Sequence, residues 1–522
     1  MPLRSSKFMN LLQILPAATL LLATVPAYAQ NTQPSAGNPT GIPSDSLPSA
    51  PSSVLAKEAE ALSRPAGSSK IFSPASTTPG IGGIPVEMPQ AGPLQLSLDD
   101  AIALGLSRNY RILYDAANMR AVKGDELQVI NALLPSLNFK ASSGTQEINL
   151  AGLGFSPKLF AQIAPSLGLS NVSISTVVKV DTTDVQVSAD QYLFNASAYE
   201  LYRGSKRERA VVELNALNGR GDLVLAVGTA YLRVLSDQAT IANAEEQEAS
   251  SKLSFNQAAD RQQSGVGTSL DTNRAKVQYL QDQQTTISSK NQLAKDFIQL
   301  NRIMGIPVDQ QVELTDAAPY ADLAALPLDA AKETAYEHRK DYLSLIAQID
   351  VTHRELKAVK YQRFPVVAIN GNYGVLGETE GMYHGVFAAT GSVKVPIFNE
   401  ALQRGQEQEV SAQIKHLEQQ LASTRNDIEA QIRTAMLDVE AAKQLVQVAQ
   451  SNVQLAKQEL SDERDRFTAG VDTNLPVVDA QASVTGADAQ LVQALYQYNV
   501  AKLQLARDTG VVETRYRAYL GQ

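Results

Sequence analysis

Four histidines, His338, His353, His384 and His416, are the side chains best suited to hold a metal or move a proton near neutral pH. They lie 15, 31 and 32 residues apart, and the 522-residue chain contains no cysteine. Metal-ligand sets read from sequence rest on short fixed spacings of His and Cys. No bound metal and no cofactor is therefore expected, and His338 and His353 read as solvated helix-face residues. Serine, histidine and aspartate occur without a nucleophile-elbow pattern. The glycines of "GIGGIP" at residues 80–85 lack the preceding strand and following helix that a phosphate loop needs. The expectation is that the chain is not an enzyme. What remains is electrostatic chemistry at two related turns, "RQQSGVGTSLDTNRA" (Arg261 to Ala275) and "RFTAGVDTNLPVVDA" (Arg466 to Ala480). Asp271, Asp472 and Asp479 lie in them. A carboxylate in such a turn is most simply a solvated side chain or a helix-start charge.

The elements that must position these turns follow from an internal repeat. "LSLDDAIALGLSRNYRILYDAANMRAVKGDELQVINALLP" and "LPLDAAKETAYEHRKDYLSLIAQIDVTHRELKAVKYQRFP" align Leu98 with Leu328, Leu113 with Leu343 and Pro135 with Pro365. Each is read as a helix, over about 98–134 and 328–362, with Ser97 or Asp99 capping the first. After each proline the pattern changes to period two. Leu137, Phe139 and Ala141 oppose Ser136, Asn138 and Lys140, and Val393, Val395 and Ile397 oppose Ser392 and Lys394. Each run is long enough for the ~9–11 residues of a tilted membrane strand. Two half-buried soluble hairpins are the other reading of such pairs.

Long helices follow, over about 195–264 and 400–468, each ~105 Å at 1.5 Å per residue. In the second, Leu421, Ile428, Ile432, Ala435, Val439, Ala442, Val446, Ala449 and Val453 keep heptad order, which makes helices supercoil. In the first, Leu217, Val224, Val227, Tyr231, Val234 and Ile241 do the same. Distal helices over about 268–304 and 473–509 complete the repeats. A proximal and a distal short helix placed end to end match one long helix, so each turn is the far tip of a coiled-coil hairpin.

The bulk numbers limit the setting. The net charge is −9 with 19% charged residues, so no basic nucleic-acid footprint is present. Arg4 and Lys7 precede an apolar run ending in "AYA" at residue 29, the pattern of a secretory signal. No later window has the ~20 apolar residues of a spanning helix. Without disulfides or a lipidated cysteine, membrane contact would have to come from β-strands. The organisation expected is a signal peptide at 1–29, a flexible Pro/Ser/Gly-rich linker at 30–93, repeats at 94–310 and 311–510, and a tail at 511–522. The segment 147–180, with Phe155, Leu159, Phe160 and Ile163, is much longer than its counterpart near 376–385 and reads as an external loop that lids a barrel.

Taken in order, "LSLDDAIALGLSRN", "LLPSL", "PIFN", the duplication and the tip motif Arg-x-x-x-Gly-x-x-x-x-Leu resemble the TolC family of outer-membrane channel proteins, over residues 94–510. The resemblance implies a mainly α fold with a small membrane β part. A homotrimer would share a twelve-stranded β-barrel, four strands from each protomer, above a periplasmic coiled-coil α-tunnel. It further implies a periplasmic adaptor, an inner-membrane pump or ABC exporter, and outer-membrane lipid as partners, with the polar strand faces, including Lys140 and Lys394, lining the lumen. Gly265, Leu270, Asp271 and Ala275 in the first tip, and Gly470, Leu475 and Ala480 in the second, match the adaptor-docking positions. Asp479 matches one aspartate of the cation-selecting entrance, while Pro476 stands where a second would be. Asp472 replaces a basic residue of the family's closed-state latch, which implies a single acidic ring and a different latch. The other reading is a non-channel periplasmic coiled-coil structural or adaptor protein. Such proteins have one hairpin flanked by compact β domains, and this chain has two hairpins.

Overall fold

Alternation of small and apolar residues at heptad spacing builds most of this protein. The computed structural model describes residues 82–84, 92–149, 151, 177–316, 321–324, 326–378, 381, 383–471, 473 and 475–521. All of them belong to one compact unit, residues 78–522. The segment expected to be a signal peptide, 1–29, nearly all of the expected linker 30–93, most of the expected external loop 147–180 and Asp472 lie outside the described residues; the ends of that expected loop, 147–149 and 177–180, are strand.

Strand β1 (Leu94–Leu96) leads into α1 (Leu98–Arg108) and α2 (Tyr110–Asn131), then the hairpin β2 (Ser136–Asn149) and β3 (Val177–Phe194). The long helix α3 (Ala196–Gln263) and distal helix α4 (Ser269–Met304) complete the first repeat. The second repeats the order: β4 (Val312–Leu314), α5 (Leu328–His338), α6 (Lys340–Tyr361), β5 (Val366–Glu378), β6 (Tyr383–Lys394), α7 (Glu400–Thr468) and α8 (Leu475–Asp508), followed by α9 (Val512–Leu520). The capping residue of α1 is Ser97, whose Oγ accepts the Asp100 N–H at 3.2 Å. The 68 residues of α3 and 69 of α7 span roughly 100 Å each.

The long helices organise the packing. α3 packs along α4 and α8 distally and along α2 and α6 proximally, and α7 packs on α8 and α6. The expected heptad seam of α7 is the buried one: Ile428, Ile432, Ala435, Ala442, Val446 and Ala449 are all buried. Proximally, Leu98, Ala101 and Ile102 of α1 pack with Leu223, Val227 and Tyr231 of α3 and with Leu300 and Met304 of α4.

Each proximal helix was expected to be continuous; each breaks once, at Asn109 and at Arg339. Both residues have extended backbone, with φ/ψ of −70°/135° and −67°/117°. The cause is the end-to-end junction with the distal helix. Gly305 and Gly510, left-handed at φ 72° and 77°, end α4 and the turn after α8. A Cβ on Gly305 would lie 2.9 Å from Arg108 Cβ, and one on Gly510 would lie 2.7 Å from the Arg339 N. The abutting turns occupy the space a straight helix would need. At the first break residues 82–84, part of the segment read as flexible or surface-hugging, lie against the helix: Tyr110 N–H donates to Gly82 O and Ile84 N–H to Arg108 O.

Three other elements escaped the sequence reading. β1 and β4 form a small parallel sheet that joins the starts of the repeats, Leu94 opposite Val312. The C-terminal tail contains α9, tied to α3 by Arg220 and Glu513 at 2.5 Å and to α1 by Arg517 and Asp99 at 2.5 Å.

The four long strands form one antiparallel sheet in the order β2-β3-β5-β6. Its faces are those the alternation dictated. Phe139, Val187, Tyr373 and Phe387 make one row across all four strands, and Leu137, Ala189, Gly371 and Ala389 the next. The opposite face carries Asn138, Ser188 and Asn372, with Asn372 Nδ2 donating to Gln186 Oε1 at 2.8 Å and Lys140 paired with Asp184 at 3.7 Å. Strands of 12 to 18 residues exceed the length a tilted crossing requires. No described helix is long and apolar enough to cross a membrane.

Candidate functional site at the coiled-coil tips

Both tips are built by one device. At the end of α3 the Val266 N–H donates to Arg261 O at 3.0 Å and the Gly265 N–H to Gln262 O at 3.1 Å. At the end of α7 the Val471 N–H donates to Arg466 O and the Gly470 N–H to Phe467 O, each at 3.1 Å. This pair of bonds, six-to-one and five-to-two, closes a helix only when the residue after the cap is left-handed. Gly265 and Gly470 are, at φ 75° and 74°, and no heavy atom lies within 4 Å of where either Cβ would project. A side chain there would therefore point into open space.

The return helices begin differently. Thr268 caps α4, its Oγ1 accepting the Asp271 N–H at 3.2 Å and donating to Asp271 Oδ2 at 2.6 Å. Asp271 is thus committed to a local cap. Ala275 is buried against α3, where Ala258 is also buried, and Thr272 Oγ1 donates to Ala258 O at 3.2 Å. In the second tip Ala480 and Val477 are buried with Ala456 and Leu460 of α7. Leu270, Leu475, Val266 and Val471 are exposed apolar residues at the tips. Asp479 lies on the exposed face of the first α8 turns.

Sequence reading missed the contacts that join one tip to the other. Arg261 stacks its guanidinium over the Phe467 ring, 4.2 Å from the centroid, and donates from Nη2 to Phe467 O at 3.2 Å. Deeper in, buried Gln481 of α8 donates to Ser254 Oγ of α3 at 3.0 Å, and Arg464 of α7 bonds Ser250 Oγ. Arg261 was visible as the first letter of a repeated motif; its partner, 206 residues away, was not.

No described group of three or more His, Asp or Glu is placed to hold a metal ion. His353 is exposed on α6. His338, expected on a solvated face, is instead half-buried at the α5 break, its Nδ1 3.0 Å from Thr334 O. The arrangement is one of surfaces rather than of a reaction centre: two rigid hairpin ends with exposed apolar tips, stapled together, and a carboxylate beside them.

Known proteins share this plan. The alkaline protease secretion protein AprF of Pseudomonas aeruginosa is 23% identical over 346 residues, 63% of this chain and 69% of AprF. The probable efflux pump outer membrane protein TtgC of Pseudomonas putida is 24% identical over 426 residues, covering 76% of this chain and 79% of TtgC. The crystal structure of a Pseudomonas aeruginosa membrane protein superposes with a TM-score of 0.68 at 17% identity, over 82% of this chain and 98% of that one. The sequence profile of the outer membrane efflux protein family matches residues 102–306 and 332–511. With that match covering most of the chain, and with the duplicated hairpin fold to accompany it, the chain belongs to the outer membrane efflux protein family.

Proposed function

We propose that this chain is the outer-membrane exit duct of a tripartite efflux or type I secretion assembly, working as a homotrimer with a periplasmic adaptor and an inner-membrane pump or ABC exporter. The observation that carries this reading is the set of edges one copy leaves open. Among the described residues, strands β2 and β6 each have a neighbour on one side only. Beside β6, Ile397 and Phe398 are 94% and 98% exposed. The outer helices also carry exposed apolar residues in rows along one side: Val277, Leu280 and Ile287 on α4, and Leu437, Leu445, Val448 and Leu455 on α7.

An open sheet edge in lipid leaves backbone N–H and C=O groups unpaired, at several kcal/mol each. Threefold association pairs β6 of one copy with β2 of the next and removes every edge. The same rotation brings α7 against a neighbour's α4 and covers both rows. The polar sheet face then lines a water-filled barrel, and the Phe139–Phe387 row meets lipid. We assign Gly265, Leu270, Asp271, Gly470 and Leu475 to adaptor docking, with the buried Ala275 and Ala480 letting each hairpin close tightly behind them, and Asp479, with Asp472, to the cation-attracting entrance. AprF and TtgC carry names of a secretion and an efflux component, which supports both cargo routes. Heat-resistant trimers on mild gels and ion conductance in planar bilayers are the expected results. A purified monomer that stays soluble without detergent and conducts nothing would overturn the reading.

A further inference from the structure

Midway along α3, near the base of the first hairpin where α3, α4 and α8 meet, two carboxylates share one guanidinium. Arg233 Nε lies 3.5 Å from Asp237 Oδ1 and 3.6 Å from Asp296 Oδ2. Asp237 is 7% exposed, and its Oδ2 is shielded from water without a hydrogen-bond donor facing it. Hollows of about 540 and 420 Å³ flank the cluster on either side of Arg233. The other ionisable groups that face it are few. Tyr496 of α8 has its ring 5.5 Å from the Arg233 guanidinium. Asp222 of α3, across the larger hollow, is itself paired with Arg507 at 2.5 Å and Arg111 at 3.6 Å.

One guanidinium balances one carboxylate. A second buried carboxylate at the same place can lose its charge only by keeping a proton. That proton also resolves the unpartnered oxygen, because a protonated Asp237 becomes a donor and its natural acceptor is Asp296 on the neighbouring helix. We propose that Asp237 and Asp296 form a proton-operated clasp between α3 and α4, tight when one proton is shared and loosened when both carboxylates ionise.

The direction of the shifts agrees. Burial pushes Asp237 up to about 7, helped by the neighbouring Asp296 carboxylate and opposed by Arg233. Burial also pushes Asp296 up, but the nearby Asp237, the hydrogen bond from Gln292 and the charge of Arg233 outweigh it, and the net shift is downward. The sign for stability follows. Between the ordinary aspartate value of ~3.9 and about 7 the folded chain holds a proton that the unfolded chain has released, so stability falls as pH rises through this window. Above it the clasp is open and the slope vanishes.

The clasp is testable in the purified full-length protein by infrared spectroscopy and hydrogen exchange. In the wild type at pH 6 a carboxylic-acid carbonyl stretch is expected that titrates away near neutrality; it disappears in Asp237→Asn. Exchange of the 230–240 and 290–300 amides, corrected for intrinsic rates, should rise severalfold from pH 6 to pH 8 in the wild type. In Asp237→Asn, whose amide mimics the protonated acid, it should stay level, and the variant should melt higher than wild type at pH 8. Arg233→Gln, which removes the shared cation, should move the titration upward. A wild type without the acid band, or with the same exchange at both pH values, would overturn the proposal.

Discussion

The contact between Arg261 and Phe467 gives the tip a measurable holding strength. Substituting Arg261→Ala removes a cation–π contact at 4.2 Å and a hydrogen bond of 3.2 Å to the Phe467 carbonyl, both between the two hairpins of one copy. Arg261 is half-buried, so the ring contact is worth about 1 kcal/mol, between the exposed and desolvated limits. A charged donor to a carbonyl adds roughly 1.5 kcal/mol net. About 2.5 kcal/mol per copy corresponds to a change of roughly 60-fold in the ratio of joined to separated tips. The staple formed by Gln481 and Ser254 remains, so the tips should loosen without falling apart. Single-channel recording in planar bilayers reads this as a higher open probability and larger mean conductance, with trimers intact. Arg261→Lys keeps the charge but loses the planar stack and should fall between. Phe467→Leu deletes the ring and leaves the carbonyl in place. A double-mutant cycle with Arg261→Ala should then return a coupling of about 1 kcal/mol. Trimeric Arg261→Ala channels with wild-type open probability, or a cycle with no coupling, would refute the assignment.

Other consequences follow from the same geometry. Gly265→Val or Gly470→Val meets no neighbour, so its penalty is the left-handed backbone alone, about 1–2 kcal/mol; trimers should form while adaptor capture weakens, and loss of trimers would make these folding glycines instead. Asp479→Ala should lower cation preference and relieve block by multivalent cations, and an unchanged reversal potential would remove the residue from the entrance. Lys502 is fully buried, donates to Ala321 O at 3.1 Å, and is pushed down to about 8 by burial, with Asp322 opposing. The folded chain gives up this proton before the unfolded chain does at ~10.4, so stability should rise with pH between about 8 and ~10.4. Lys502→Met should abolish that rise and melt higher than wild type at pH 7 in scanning calorimetry; a persisting slope would place its origin elsewhere.

What the sequence disclosed and what it withheld divide along a physical line. Period two and period seven are local and redundant: a face such as Leu137, Phe139 and Ala141 is written several times over, and one ambiguous letter does not erase it. The sheet faces, the α7 seam and the hairpin tips were legible for that reason. Features set by a single residue against a distant neighbour were not. Asn109 and Arg339 break their helices at matching places, yet they share no chemistry. Asn109 bonds Ile303 O, and Arg339 reaches Gln431, Asp341 and Asp508 O. What the two breaks share is the abutting glycine turn, Gly305 or Gly510. No periodicity reports a cause located about 170 to 200 residues away. β1 and β4 are three residues each, too short for alternation to register. The tips show both halves of the rule. Their closing turns are identical, because Gly265 and Gly470 answer to the same backbone geometry. Their side chains are not: the first tip commits Asp271 to a cap and offers Arg261, and the second offers Phe467 and leaves Asp479 exposed. Duplication supplied two equal hairpins, and the staple between them exists only because the copies have diverged. An Arg261 facing the Gln262 of its own motif would have no ring to stack on, so the asymmetry that weakens the repeat in the sequence is what joins the tips in the fold.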